Sequence, residues 1–200
     1  MSSAIDFWFD FSSPYGYLAA EQIDALAARH GREVCWHAIL LGPLFKVVGT
    51  APLTTLPVKG DYSAHDFART ARLLGIPFAL PNRFPVATQV AARAFYLVQE
   101  ESTGQAKQFA RLAYRAYFAE GRDITDASVV MDLVAKAGAG ASTVEPNLGS
   151  EAIKQRVRDE VDSALKAGVF GSPFFKVDGE PFWGNDRLPH LEEWLRRGGW

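Results

Sequence analysis

Apolar and polar residues alternate through Ala4–Phe11 (AIDFWFDF), and a period of two predicts a β-strand. Asp6 and Asp10 mark it as a strand near a sheet edge, or as the strand's two ends. Ser12-Ser13-Pro14 punctuates the run. Tyr15–His30 then carries Leu18, Ile23, Leu26 and Ala27 near helical spacing, and Gly31 closes that helix. Glu33–Leu41 (EVCWHAILL) reads as a second strand. Strand, helix and strand of this length make a βαβ unit, the seed of a parallel layer joined by a right-handed crossover.

The texture then changes. Gly42–Gly60 is rich in Gly, Pro and Thr and reads as a long loop, a length often given to function. Asp61–Leu74 is helical and ends at Gly75. Ile76–Pro85 holds three prolines and is a connection. Thr88–Glu101, Gln105–Glu120 and Asp126–Ala137 follow as helices, with Thr125 or Asp126 capping the last. Gly138–Gly149 is a loop and Ser150–Ala167 another amphipathic helix. Ser172–Val177 and Glu180–Trp183 form a hairpin around Asp178-Gly179, and Asp186–Arg197 is a closing helix. Strand material at both ends flanks a helical block, so one α/β layer with an inserted middle is expected. No repeat, low-complexity tract, Walker loop, GxGxxG, GxSxG or HExxH occurs.

Composition narrows the function classes. The 200 residues are 48% hydrophobic and 22% charged, which is globular. Lys plus Arg is 21 against 23 Asp plus Glu, a net charge of −2, so no overall pull on nucleic acid or anionic lipid is expected. No apolar run approaches the ~20 residues of a membrane span. Met1–Ala4 lacks the basic and apolar regions of a secretory signal. The single cysteine, Cys35, excludes an intrachain disulfide, a CxxC pair and a Cys-based zinc site. A cytoplasmic protein without a metal is expected.

Three constellations carry candidate chemistry. Ser13, before Pro14 at a strand-to-helix junction, is either a helix N-cap or a hydroxyl aimed at a ligand in the field of the helix terminus. If Ser12 does the capping, Ser13 is free for a ligand. Pro173, in Gly171-Ser172-Pro173-Phe174-Phe175, is either a trans edge-strand proline or a cis one. The cis form turns the Ser172 N–H and C=O outward to pair with an extended ligand. Gly184-Asn185-Asp186-Arg187 is either an Asp-capped helix start with a surface Arg, or an anion and amine site. Lys46, in the long loop, is a solvated charge or a receptor for a substrate carboxylate. Trp8, Trp36 and Trp183 read as core. Phe9, Phe11, Tyr15 and Tyr17 line a pocket or pack a core. His30, His37, His65 and His190 show no ligand spacing and read as surface or helix-end residues. Cys35 reads as a small buried apolar residue.

Together these motifs are familiar. Asp10-Phe11-Ser12-Ser13-Pro14-Tyr15-Gly16-Tyr17-Leu18-Ala19 is similar to the opening motif of the 2-hydroxychromene-2-carboxylate isomerases. Val169–Phe175 and Phe182-Trp183-Gly184-Asn185-Asp186-Arg187-Leu188 resemble the same family's closing hallmark. That family is related to kappa-class glutathione transferases and, more distantly, to DsbA-like oxidoreductases. The resemblance covers nearly the whole chain in the right order. It implies a thioredoxin-like fold with an all-helical insertion, with residues 1–60 and 168–200 as the thioredoxin-like unit and 61–167 inserted. It implies glutathione as cofactor, with Ser13 at the sulfur and Pro14 and Tyr15 continuing the contact loop. Ser172 would pair through its backbone with the cysteinyl part beside a cis Pro173, and Asn185 and Asp186 would hold the γ-glutamyl end. The family often has Asn after the loop glycine. Here Thr50 follows Gly49, with a hydroxyl in the same place.

The implied reaction converts 2-hydroxychromene-2-carboxylate to trans-o-hydroxybenzylidenepyruvate by reversible thiolate addition. A free thiol near pKa ~8.5 is only a few per cent ionised at neutral pH. A hydroxyl bond from Ser13 and the helix field favour the charged sulfur. The resemblance implies that Ser13 or its neighbour stands in place of the redox cysteine of DsbA-like relatives, so disulfide exchange by the protein itself is not expected. Lys46 is the pick for the substrate carboxylate, and relatives imply a homodimer. Two rivals share the fold: a kappa-type transferase or peroxidase, and a non-catalytic binding module.

Overall fold

The computed structural model describes residues 4–200. Its elements are β1 (Ile5–Phe9), α1 (Pro14–Ala20), α2 (Ile23–Arg29), β2 (Val34–Ala38), α3 (Leu41–Val48), α4 (Lys59–Leu74), α5 (Gln89–Glu101), α6 (Thr103–Phe118), α7 (Ala127–Lys136), α8 (Ala141–Val144), α9 (Glu151–Lys166), β3 (Phe174–Val177), β4 (Glu180–Trp183) and α10 (Leu188–Arg197). Short 3-10 turns occupy Leu53–Thr55, Glu145–Asn147 and Asn185–Arg187. The sheet order is β2-β1-β3-β4, with β1 parallel to β2 and antiparallel to β3, and β3 antiparallel to β4.

β1 is therefore a central strand, which corrects the edge reading. Its alternation reflects two covered faces. Ile5, Phe7 and Phe9 are buried against the larger core, which joins Trp36 and Phe175 of the sheet to Phe95, Phe109 and Tyr114 of the helices. Trp8 faces the other way and packs with Leu44, Val161, Ala164 and Phe174. Asp10 falls just beyond the strand's end, where a carboxylate can meet backbone donors. Helices α4–α9 enter between β2 and β3, giving the expected α/β thioredoxin-like layout with a helical insertion.

Other expectations need revision. The helix over Tyr15–His30 is two helices, broken at Glu21-Gln22, where the Gln22 N–H turns back to the Ala19 carbonyl at 3.0 Å. The supposed loop from Gly42 begins as α3, because Gly42 and Pro43 lie in its first turn. Proline is tolerated there, since that N–H has no intrahelical partner. Cys35 is exposed, since β2 is an edge strand that turns Val34, Trp36 and Ala38 inward. His37 is on the outward face of the same strand, stacked on Trp8 and held between Asp6 (3.0 Å) and Glu160 (3.6 Å), rather than at a surface or helix end. Asp126 caps α7 and Ser150 caps α9, as their residue types imply. The Asp178-Gly179 turn has positive φ at both residues (53° and 89°), the geometry of a tight hairpin.

Candidate active site

The site begins where β1 ends. Asp10 is buried, and its Oδ1 accepts from the Ser12 N–H and hydroxyl (both 2.7 Å) and from the Thr88 hydroxyl at 3.0 Å. Its Oδ2 accepts from the Leu41 N–H at 2.6 Å. One carboxylate thus ties the β1–α1 turn to the first residues of α3 and to the entrance of α5. Burial pushes its pKa up, against hydrogen bonds from Leu41, Ser12 and Thr88 that pull it down.

Ser13 is the N-cap of α1, with the Gly16 N–H donating to its Oγ at 3.0 Å and Pro14 at the first helical position. Ser12 does not cap, because its hydroxyl donates to Asp10. The Ser13 hydroxyl in turn donates to the Ser172 carbonyl at 2.9 Å, and the Ser172 Oγ accepts from the Asp10 N–H at 3.1 Å. The Ser172–Pro173 bond is cis. The Ser172 carbonyl is thus engaged with Ser13 rather than simply turned outward. The Ser172 N–H has no partner among the described residues. Gly16 allows this interlock. A Cβ there would stand 2.7 Å from the Tyr114 hydroxyl and 3.0 Å from the Ser172 Oγ.

Around this junction opens a cleft of about 1060 Å³. Ser13, Pro14, Ser172, Pro173, Asn185 and Asp186 line one part of it, and Tyr15, Lys46 and Thr50 line it too. The cleft therefore gathers every residue the sequence singled out for ligand or substrate. Lys46 lies on the last turn of α3, exposed, rather than in a loop. Thr50 follows the αL cap Gly49 and is exposed. Asn185 is 8% exposed and within a 3-10 turn, while Asp186 is exposed and 3.3 Å from Arg187. Asp186 does not cap α10, whose N-cap is Arg187 without a side-chain bond. Apolar wall comes from Leu40, Phe45, Phe67, Phe84 and Val86.

The cleft also holds residues the sequence reading missed. The Tyr15 hydroxyl donates to Asp66 on α4, which also pairs with Arg69. Burial and then Asp66 push the Tyr15 phenol above its ordinary value, so it stays protonated. Trp183 is 55% exposed at the cleft wall, edge-to-face with exposed Phe170 at 4.9 Å, which corrects its reading as core. Trp8 and Trp36 are core, as are Phe9, Phe11 and Tyr17. Asp10 had a signal: an Asp two residues before a Ser commonly folds into a side-chain-to-backbone turn. Asp66 had none, because only tertiary packing brings α4 to α1.

Comparison with known proteins agrees with this layout. A family model for the DSBA-like thioredoxin domain matches residues 4–196. The 2-hydroxychromene-2-carboxylate isomerase of Pseudomonas putida is 32% identical over 195 residues, 96% of this chain and 94% of that one. Glutathione S-transferase kappa 1 of Rattus norvegicus is 24% identical over 208 residues, 96% of this chain and 92% of that one. A solved structure of a 2-hydroxychromene-2-carboxylate isomerase superposes with a TM-score of 0.88 at 32% identity, covering 97% of this chain and 95% of the other. The interlocked turns at Ser13 and Ser172 stand on a scaffold shared over most of its length, and the chain belongs to the DSBA-like thioredoxin-domain family, in its 2-hydroxychromene-2-carboxylate isomerase branch.

Proposed function

We propose that this protein is a glutathione-dependent isomerase that converts 2-hydroxychromene-2-carboxylate to trans-o-hydroxybenzylidenepyruvate. One observation carries the reading. A single cleft joins a polar stretch with unpartnered donors to an apolar wall with one flanking lysine. The residues present suit glutathione. The Ser172 N–H is available to an extended peptide, the Asn185 Nδ2 has no partner within the described chain, and Asp186 stands exposed beside it. Once the ring C–O bond of the hemiketal opens, its hydroxyl becoming the ketone and the proton passing to the phenol oxygen, bound glutathione would supply a thiolate that adds reversibly to the resulting conjugated double bond, leaving a single bond that turns before the sulfur departs. The chain's own residues do the rest. Ser13 donates a hydrogen bond to the sulfur at the start of α1, and Pro14 and Tyr15 shape the loop around it. Ser172 pairs by its backbone beside Pro173, Asn185 and Asp186 hold the γ-glutamyl end, and Thr50 offers a hydroxyl. Lys46 receives the substrate carboxylate, and the apolar wall excludes water from the ring system. In this reading residues 1–60, of which 1–3 lie outside the described residues, and 168–200 form the cofactor-binding unit, and residues 61–167 the helical insertion that covers the substrate.

The test is the absorbance change of hydroxychromene carboxylate with and without glutathione, run beside chlorodinitrobenzene conjugation. Glutathione-dependent isomerisation that outpaces conjugation supports the reading. The reverse order makes the protein a kappa-type transferase, and absence of saturable glutathione binding by calorimetry makes it a binding module. We further infer a cytoplasmic homodimer, which sedimentation equilibrium and fractionation test. Among the described residues no helix is long and apolar enough to cross a membrane.

A further inference from the structure

We propose that Gln22, which lies behind the cleft wall, dictates which way round the Asn185 amide stands, and so makes Asn185 a donor to a ligand carboxylate. Gln22 lies in the break between α1 and α2. Its Nε2 reaches the Leu18 carbonyl at 2.8 Å and the Asn185 Oδ1 at 3.1 Å. A backbone carbonyl only accepts, so the group facing Leu18 is the Gln22 NH2 and not its oxygen. Both amide protons are then committed, one to Leu18 and one to Asn185. The Asn185 atom that meets Gln22 must therefore be the oxygen. Its Nδ2 is turned away and has no partner among the described residues. Neither is Nδ2 sealed from solvent, because Thr54 Oγ1 is the one buried side-chain polar atom left unsatisfied among those residues. Asn185 lines the cleft, which is where an acceptor for the Nδ2 protons would stand.

Polarity thus passes from a backbone carbonyl through two amides to the ligand. Gln22 is a positioning residue that touches no ligand itself. The inference rests on the glutathione reading, in which Asn185 and Asp186 hold the γ-glutamyl end, and it adds that the α-carboxylate meets Asn185 and the ammonium Asp186. Gln22→Glu reverses the logic. A carboxylate only accepts, so Asn185 turns its NH2 toward residue 22 and shows its oxygen to the cleft. Gln22→Met removes the instruction without reversing it.

Calorimetry of wild type, Gln22→Glu and Gln22→Met tests this with two probes: glutathione, and its analogue carrying a carboxamide in place of the γ-glutamyl α-carboxylate. Wild type should prefer glutathione. Gln22→Glu should lose roughly 10-fold or more in glutathione affinity while largely keeping the analogue, so the preference narrows or inverts. Gln22→Met should lose roughly 3-fold and narrow the preference less, and it carries the test if Gln22→Glu does not fold. Turnover at saturating glutathione should stay within about 2-fold of wild type, so the loss is in KM rather than kcat. Equal losses for both probes, or an unchanged preference in the folded variants, overturn the role of Gln22 alone. Wild type that binds neither probe overturns the glutathione reading and this inference with it.

Discussion

The Ser13 hydroxyl donates its one proton to the Ser172 carbonyl, 2.9 Å away across the cleft floor. To hold a thiolate, that proton must swing from the carbonyl to the sulfur. Rotation of the hydroxyl hydrogen is enough, because the Gly16 N–H keeps the oxygen in place. Ser13→Ala removes both the donor and the cap. Turnover should fall roughly 10- to 100-fold, the scale of one charge-assisted bond, while glutathione affinity stays within about 3-fold. The lost cap should lower stability by about 1 kcal/mol. Steady-state rates and urea unfolding check both numbers. Full turnover in the variant would remove the sulfur-stabilising role from Ser13.

Lys46 is the cation that α3 brings to the cleft, opposite in sign to lining residues Asp10, Asp66 and Asp186. Lys46→Met keeps the apolar stem and deletes the charge. KM for hydroxychromene carboxylate should rise roughly 10- to 100-fold, since a hydrogen bond to a charged group is worth about 1.5–3 kcal/mol. Glutathione affinity should hold. A rise in the glutathione dissociation constant instead would move Lys46 to the cofactor end.

The legible part of this molecule was its local chemistry. Pro14 after Ser13, Asp178-Gly179 between two short strands, and Gly75 after a periodic run each specify a backbone geometry by themselves, and all stand where expected. The turns at Ser13, Ser172 and Asn185 were legible for the same reason, since each is contiguous in the chain. α3 was hidden because its Gly42 and Pro43 are breakers in a helix interior but harmless in a first turn. Asp66 beside Tyr15, Gln22 beside Asn185 and the exposed face of Trp183 depend on contacts across the fold. No local pattern announces those. Cys35 and His37 were misread because which face of an edge strand is covered depends on where α9 packs.

His37 stabilises the fold as a cation. Burial pulls its pKa down, but the hydrogen bonds and charges of Asp6 and Glu160 overcome this and raise it to about 9. An unfolded histidine titrates near ~6.5. The folded state therefore binds the proton more tightly, and the stabilisation is complete below about pH 6.5 and lost as pH rises through about 9. The shift corresponds to about 3 kcal/mol. Urea midpoints at pH 6 and pH 9.5 should show wild type losing stability across this window and His37→Gln losing much less. Parallel slopes for the two proteins would assign the pH dependence elsewhere.

Asp10 is bound by a constraint that no amide can meet. Backbone N–H groups approach both of its oxygens, Ser12 at 2.7 Å on one and Leu41 at 2.6 Å on the other. Asp10→Asn keeps the size but has only one accepting oxygen. In either orientation its NH2 opposes a backbone N–H, leaving a buried donor unpaired. Turned one way it releases α3, which carries Lys46, and turned the other it loosens the turn that carries Ser13. The variant should therefore be less stable by about 2–4 kcal/mol and should also lose catalytic efficiency with both ligands, since the proposed site for each flanks one of those segments. A double cycle with Lys46→Met and Ser13→Ala separates the two effects, because positions tied through one carboxylate should couple rather than add. Strict additivity with both partners, or an unchanged unfolding midpoint, would mean that α3 and the Ser13 turn are held in place by packing alone.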